Sequence, residues 1–180
     1  MQDLKTEQDY LKVFHNILEN FNAGNKWINK PFEKMVMIPL TNRGQLVQLF
    51  IERICSKLSL PIELPKSISG DRATQSPWDL KINGVTFEIK AATEDTNNKF
   101  QFNHIRYHRK YDALLCVGIS PAELRFRCWT AADVKTNKAG NLVSMEKAAN
   151  ASFKLTKSAR ELLGFELFKI EIDKIVDSLK

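Results

Sequence analysis

The dipeptide Asn83-Gly84, set between two segments of alternating apolar and polar residues, is the feature that most restricts how this chain can fold. This pattern is the strongest short-range signal for a β-hairpin with a two-residue type I′ turn. With that turn, Ile82 faces Val85, and the side chains of both strands alternate between two faces. The apolar residues then share one face: Trp78, Leu80, Ile82, Val85, Phe87 and Ile89. The polar residues share the other: Asp79, Lys81, Thr86, Glu88 and Lys90.

The same register places two carboxylates, those of Asp79 and Glu88, directly opposite each other. The Cβ atoms of such cross-strand neighbours lie about 4.5–5.5 Å apart. Two like charges at ~5 Å repel by roughly 3 kcal/mol at an effective dielectric constant of ~20. We therefore expect a positive group between them, either the ammonium of Lys81 or Lys90 or a divalent cation. If Lys81 neutralises the pair, no metal needs to bind.

The length of 180 residues suits one domain, 1–180, and is short for two. Hydrophobic periodicity predicts helices over 5–22, 42–59, about 100–110, 156–163 and 173–180. Strands are predicted over 60–64, 77–82, 84–91, 111–119, 124–130 and 165–172. These elements indicate an α/β (α+β) fold class.

The composition favours a polyanionic partner weakly and argues against several other classes of protein. Lys and Arg total 27 against 21 Asp and Glu, a formal net charge of +6. The N-terminus has no apolar segment that could form a signal-peptide core, and no segment is long enough to span a membrane, so no membrane partner is expected. Three cysteines without a CxxC pair argue against structural zinc and a disulfide framework, and predict a cytoplasmic protein. The absence of GxxxxGK[ST] argues against a nucleotide cofactor.

The segment between Thr96 and Asp112 carries no acidic residue and is the best candidate for contact with DNA. Cations suit phosphate contacts, and Asn, Gln and Arg suit base edges. The candidates there are Lys99, Gln101, Asn103, His104, Arg106, Arg109 and Lys110. Arg72, in the loop before the hairpin, is a second contact candidate, and Arg43 could flank the same groove. The alternative is a solvated basic helix. His104 and His108 would stand i, i+4 on this helix, but neither a HExxH context nor a third zinc ligand accompanies them.

The order Asp79, then Glu88-Ile89-Lys90 across a hairpin resembles the active-site motif of the PD-(D/E)xK nuclease superfamily, and most of all a small type II restriction endonuclease. The resemblance covers about 42–119, including the element order. It departs from the family in that Pro77 is separated from the aspartate by Trp78. It implies a restriction-endonuclease-like core, a central mixed β-sheet flanked by helices, over about 42–130, with an additional N-terminal helix 5–22 and a C-terminal extension 131–180.

The resemblance also implies roles for individual residues. Asp79, Glu88 and the backbone carbonyl of Ile89 would hold Mg²⁺, and Lys90 would position the attacking water. Glu52 on the first core helix would join the catalytic residues, the alternative being a solvated helix glutamate.

The implied activity is Mg²⁺-dependent hydrolysis of double-stranded DNA by an endodeoxyribonuclease, leaving a 5′-phosphate and a 3′-hydroxyl. A small restriction enzyme that cuts both strands of a palindrome is expected to be a homodimer. Two alternatives remain open: a repair nuclease or junction resolvase with the same fold, and a non-catalytic DNA-binding module.

Overall fold

A computed structural model describes residues 25–73, 76–146 and 151–180, and the predicted helix 5–22 lies outside them. The helices are α1 (Leu40–Lys57), α2 (Ala131–Lys135) and α3 (Phe168–Ser178), with 3-10 turns at Glu33–Met37, Ala159–Glu161 and Phe165–Leu167. The strands are β1 (Ile62–Glu63), β2 (Leu80–Ile82), β3 (Val85–Thr93), β4 (Lys99–Ile105), β5 (Ala113–Ile119), β6 (Leu124–Thr130), β7 (Leu142–Ser144), β8 (Phe153–Ser158) and β9 (Leu163–Gly164).

The main sheet has six strands in the order β1-β2-β3-β5-β6-β9. The β3–β5 pair is parallel and the other pairs are antiparallel, so the sheet is mixed, as predicted. Every residue of β5 is buried, which explains why its sequence is an almost unbroken apolar run. The α+β fold class with a central mixed sheet is therefore confirmed.

The Asn83-Gly84 hairpin forms in the predicted register. Asn83 has φ 49° and Gly84 has φ 87°, the positive values that a type I′ turn requires at both central positions. The paired residues are Leu80 with Phe87, Lys81 with Thr86 and Ile82 with Val85. The turn therefore fixes which side chains of β3 face each side of the sheet.

A second, three-stranded sheet with the order β4-β8-β7 replaces two predicted helices. The helix predicted over 100–110 is wrong: this segment forms β4 and a turn, because Phe100 and Phe102 alternate with exposed polar residues at the period of a strand. Because this segment is not a helix, His104 and His108 do not lie one helical turn apart. The helix predicted over 156–163 is also wrong, since this segment includes the end of β8 and a 3-10 turn.

The strand predicted over 165–172 is wrong as well, because α3 begins at Phe168 and includes most of that segment. The buried residues Phe168, Ile172 and Val176 recur every four positions, which is the spacing of one helix face and not of a strand. The helix predicted over 173–180 is the second half of α3.

Two apolar cores lie on opposite faces of the main sheet. One joins the sheet to α1 and α3, and the other joins it to β4, β8 and α2. Gly118 of β5 allows the small sheet to pack closely, since a Cβ atom there would lie 2.9 Å from side-chain atoms of both Phe100 and Leu162. Among the described residues, no helix is both long enough and apolar enough to cross a membrane.

Candidate active site

The regular pairing of β2 with β3 stops at Leu80, so the predicted pairings of Asp79 with Glu88 and of Trp78 with Ile89 do not form. The amide of Asp79 donates to the carbonyl of Phe87 (2.8 Å), although Phe87 already faces Leu80. Two residues therefore oppose one, which is the arrangement of a β-bulge. The bulge reverses the alternation before it, so Trp78 packs in the core beneath the small sheet and not with Leu80 as predicted.

Beyond Leu80, the Asp79 side chain replaces the backbone of β2 as a hydrogen-bond partner of β3. Its Oδ2 atom accepts the amide of Ile89 at 2.7 Å. A strand residue directs its amide and carbonyl toward the same edge, so the Ile89 carbonyl also faces this edge of β3. The bulge thus brings a carboxylate to the one stretch of β3 that β2 leaves unpaired.

Glu88 and Lys90 form an ion pair on the face of β3 that carries the small sheet. Their Nζ and Oε1 atoms are 2.5 Å apart, and the Glu88 side chain is 5% exposed. Burial raises the pKa of the Glu88 carboxyl, Lys90 opposes that rise, and the nearby charge of Asp79 adds to it. The two carboxylates are thus close enough to affect each other, although the bulge and not the predicted register brings Asp79 there.

Lys81 does not neutralise this acidic pair. Its ammonium binds Glu63 on β1 at 2.9 Å and lies 5.9 Å from the centre of the Trp78 ring. Of the two lysines considered from the sequence, Lys90 is the one that compensates Glu88.

Asp79, Glu88 and Lys90 all line one cleft of about 740 Å³, which we name the main cleft. The arginines Arg72, Arg106 and Arg109 line the same cleft. Its remaining walls come from α1, the loop before β2 and β4: Gln45, Gln48, Leu49, Pro65, Ala73, Ser76, Trp78 and His104.

Glu52 does not line the main cleft, whereas Gln48, one helical turn earlier on α1, does. Glu52 binds Arg72 at 2.7 Å. Gln48 donates from Nε2 to the backbone carbonyl of Asp79 at 2.9 Å, so it anchors the bulge from α1. Sequence reasoning missed Gln48, although its position on the polar side of α1 was a usable signal.

A second cleft of about 580 Å³, the side cleft, continues along the unpaired edge of β3. The two clefts share Lys90 and His104, so together they form one groove, which we name the β3-edge groove. The amino-terminal part of α1 forms one wall of the side cleft with Arg43, whose guanidinium binds Thr93 Oγ1 at 3.1 Å.

The other wall of the β3-edge groove is β4. A β-bulge between Phe102 and Ile105, with His104 at φ 57°, leaves both Asn103 and His104 exposed in the groove. Of the DNA-contact candidates, seven line the groove: Arg43, Arg72, Gln101, Asn103, His104, Arg106 and Arg109. Lys99 and Lys110 are exposed but line neither cleft.

Two arginines of the main cleft have few hydrogen-bond partners among the described residues. Among the described residues, the buried Nε of Arg106 has no hydrogen-bond partner. Within the described parts of the chain, Arg109 donates to the carbonyl of Ser76 at 3.3 Å, and its charge lowers the pKa of Glu88 after the larger effects of burial, Lys90 and Asp79. A guanidinium group has five N–H donors, so those that the protein leaves unused are suited to bind a phosphate.

The donor atoms here fit a hard divalent cation such as Mg²⁺. Asp79 Oδ1 and Glu88 Oε2 take no hydrogen bond from the described residues, and the Ile89 carbonyl lies at the same edge. Mg²⁺ takes oxygen ligands, often only one or two carboxylates, and fills its other positions with water. The described parts of the chain contain no group of three or more His, Cys, Asp and Glu that could hold a metal.

No protein-family model matches the sequence, and no curated protein matches it either. Among solved structures, a bacterial homing endonuclease is similar over 79% of this chain and 100% of its own, with 9% identity and a TM-score of 0.44. A nuclease from a fusselovirus is similar over 78% of this chain and 92% of its own, with 10% identity and a TM-score of 0.36. With TM-scores this low, neither likeness bears on function.

Proposed function

We propose that this protein is a Mg²⁺-dependent endodeoxyribonuclease that hydrolyses phosphodiester bonds in double-stranded DNA. One observation carries the proposal: Asp79, Glu88 and Lys90 converge on a single cleft that is also lined by three arginines. A cleft with paired carboxylates and surplus cations suits a substrate that is itself an anion and reacts at a metal-bound phosphate.

Each residue has a part that follows from its chemistry. Asp79, Glu88 and the carbonyl of Ile89 would hold Mg²⁺, which when bound supplies charge stabilisation for the phosphate and its leaving oxygen. Lys90 donates a proton of its ammonium in a hydrogen bond to the attacking water, or to a phosphate oxygen as negative charge develops there. Water adds to phosphorus and releases a proton to the solvent, the bond to the 3′ oxygen breaks, and that oxygen takes a proton from a solvent water.

The cations of the main cleft favour a polyanion over a single phosphate ester. Arg106 and Arg109 lie on the β4 side of the cleft, and Arg72 lies in the loop before β2. Arginines spread around the acidic pair are placed to contact successive phosphates, and the side cleft extends the groove beyond the reacting group. Glu52 would act through Arg72, which it holds, and not on the metal.

Within this activity we propose a type II restriction role, with a homodimer acting on a palindromic site. A single copy carries one acidic pair in its main cleft, and cutting both strands of a two-fold symmetric sequence takes two such sites. A resolvase of the same fold would share the site but need branched DNA.

Incubation of the full chain with supercoiled plasmid and Mg²⁺ tests the proposed function. We expect discrete linear fragments with 5′-phosphate and 3′-hydroxyl ends, and no products in EDTA. Cleavage of four-way junctions but not of the plasmid would show that the protein is a junction resolvase and not a restriction enzyme. DNA binding without cleavage of any substrate would leave only a binding module and end the nuclease proposal.

The metal site predicts a specific behaviour of Glu88→Gln. The pKa of Glu88 is raised in the folded state above its ordinary value of 4.5, so its contribution to stability is fully present below that value and is lost as pH rises through the folded-state pKa. In EDTA we therefore expect Glu88→Gln to melt at a higher temperature than the wild type near neutral pH, with a flatter pH dependence.

Mg²⁺ should reverse this order. At a hundredfold excess over its dissociation constant, a ligand of the folded state adds about 2.7 kcal/mol to the free energy of unfolding. The wild type should gain this and Glu88→Gln should not, as read by thermal melting in EDTA and in Mg²⁺. Equal gains for both proteins would show that Glu88 is not a ligand.

A further inference from the structure

The exposed face of β4 presents amide side chains to the side cleft at a regular spacing. Phe100 and Phe102 are buried beneath the strand, so Lys99, Gln101 and Asn103 lie on its outer face. Gln101 and Asn103 line the side cleft. Same-face residues of a strand are roughly 6.6–6.8 Å apart, which is about two base-pair steps of ~3.4 Å.

The amide of Gln101 is held in one orientation by Asp95. The Oδ1 atom of Asp95 accepts the backbone amides of Asn97 and Lys99, each at 2.9 Å, and Oδ2 accepts Nε2 of Gln101 at 2.9 Å. The hydrogen bond from Gln101 lowers the pKa of Asp95, so this carboxyl is ionised and only accepts. The nitrogen of Gln101 must therefore face Asp95, which leaves Oε1 and one amide hydrogen for a ligand.

We propose that Gln101 is a specificity-determining residue that reads the major-groove edge of one base pair in double-stranded DNA, with Asp95 fixing which of its hydrogen-bonding atoms face the base. This inference rests on the proposed function, because it takes DNA as the occupant of the β3-edge groove. An acceptor beside a donor matches adenine, whose edge offers the N6 donor and the N7 acceptor.

Continuity of the groove supports DNA as the occupant. The side cleft joins the main cleft through Lys90 and His104, so a duplex whose phosphate lies at Asp79 and Glu88 extends along β4. The side cleft reaches Thr93, three strand residues beyond Lys90 and thus ~10 Å away. The base pair read by Gln101 should therefore lie within about three steps of the cut phosphate.

We expect a substitution of Asp95 to change which base the protein prefers, and not only to weaken the preference. In Asp95→Asn, Oδ1 still accepts the two backbone amides, so the new amino group faces Gln101. The Gln101 amide then has to turn round to accept from it and presents its two hydrogens to the groove. Two donors match guanine, whose edge offers the acceptors O6 and N7.

Binding selection from a randomised duplex library, with the full chain in EDTA, tests the proposal without any need for cleavage. We expect the wild type to enrich a motif that contains adenine at one position. Gln101→Ala should lower the discrimination there about tenfold or more. Asp95→Asn should move the preference at that position toward guanine. Thr156→Ala is the matched control, because Thr156 faces Gln101 across the small sheet but lines neither cleft, and its motif should equal the wild-type motif.

The outcomes separate this inference from the proposed function, because cleavage with Mg²⁺ is measured on the same proteins. A wild type that cleaves but enriches no motif, or a Gln101→Ala motif identical to the wild type, overturns the role of Gln101. A wild type that enriches the expected motif without cleaving any DNA overturns the nuclease and leaves Gln101 as a reading residue.

Discussion

Asp79→Asn is expected to lose cleavage by at least about a hundredfold while keeping the fold, because it removes a negative charge that would bind the metal and nothing that the hairpin needs. Partners one shell outside a metal typically contribute 10–100-fold, so a direct ligand should contribute at least as much. The asparagine carbonyl oxygen can still accept the Ile89 amide that Asp79 accepts at 2.7 Å. The melting temperature in EDTA should equal or exceed that of the wild type, since one charge beside Glu88 is gone.

Two comparisons make the Asp79 result interpretable. Asp79→Ala should also lose cleavage, but at a cost to stability of about 1 kcal/mol, because the Ile89 amide then lacks its acceptor. Asp173→Asn on α3 alters an exposed ion pair with Lys169 and should cleave at the wild-type rate. Plasmid nicking rates and thermal melting measure both properties. Normal cleavage by Asp79→Asn would remove this carboxylate from the reaction.

Lys90→Met is expected to lose both cleavage and stability, since Lys90 holds the buried Glu88 carboxylate. Methionine keeps an unbranched apolar stem but no charge, so Glu88 would be left ionised and unpaired or would have to take up a proton. Breaking a buried ion pair by removing one partner costs about 3 kcal/mol or more. The loss should shrink as pH falls toward 4.5, because protonation of Glu88 removes the uncompensated charge.

The double variant Lys90→Met/Glu88→Gln tests whether the stability lost by Lys90→Met comes from the broken ion pair or from altered packing. If the ion pair is the cause, the double variant should recover most of the stability lost by Lys90→Met and still fail to cleave. Denaturant unfolding of the wild type, both single variants and the double variant in EDTA completes the cycle. Two single effects that merely add would show that Lys90 and Glu88 do not depend on each other.

The hairpin was predictable because its signals are local. Asn83 and Gly84 accept positive φ values at little cost, and the alternation that follows leaves one register that buries the apolar face. Once that register is set, Glu88 and Lys90 must share a face. Glu88 and Lys90 could therefore be placed from the residues around the turn, whereas the bulge moves Asp79 out of its predicted pairing.

The small sheet was missed because composition was given more weight than period. Four cations and two histidines between Lys99 and Lys110 suggested a solvated helix, whereas the alternation of Phe100 and Phe102 with polar neighbours already indicated a strand. The bulge at Asp79 and the anchoring of its carbonyl by Gln48 depend on how α1 is rotated against the sheet. That rotation is set by packing between distant segments, which no local pattern encodes.

The unpaired stretch of β3 has a consequence for solubility. A bare strand edge is a template on which a strand of another copy can dock, and this is a common start of aggregation. Here the edge lies at the floor of the β3-edge groove between α1 and β4, and the inward-facing Lys90 adds a charge that an incoming apolar strand would have to bury. The walls formed by α1 and β4 and the charge of Lys90 thus hinder a strand of another copy from docking on this edge.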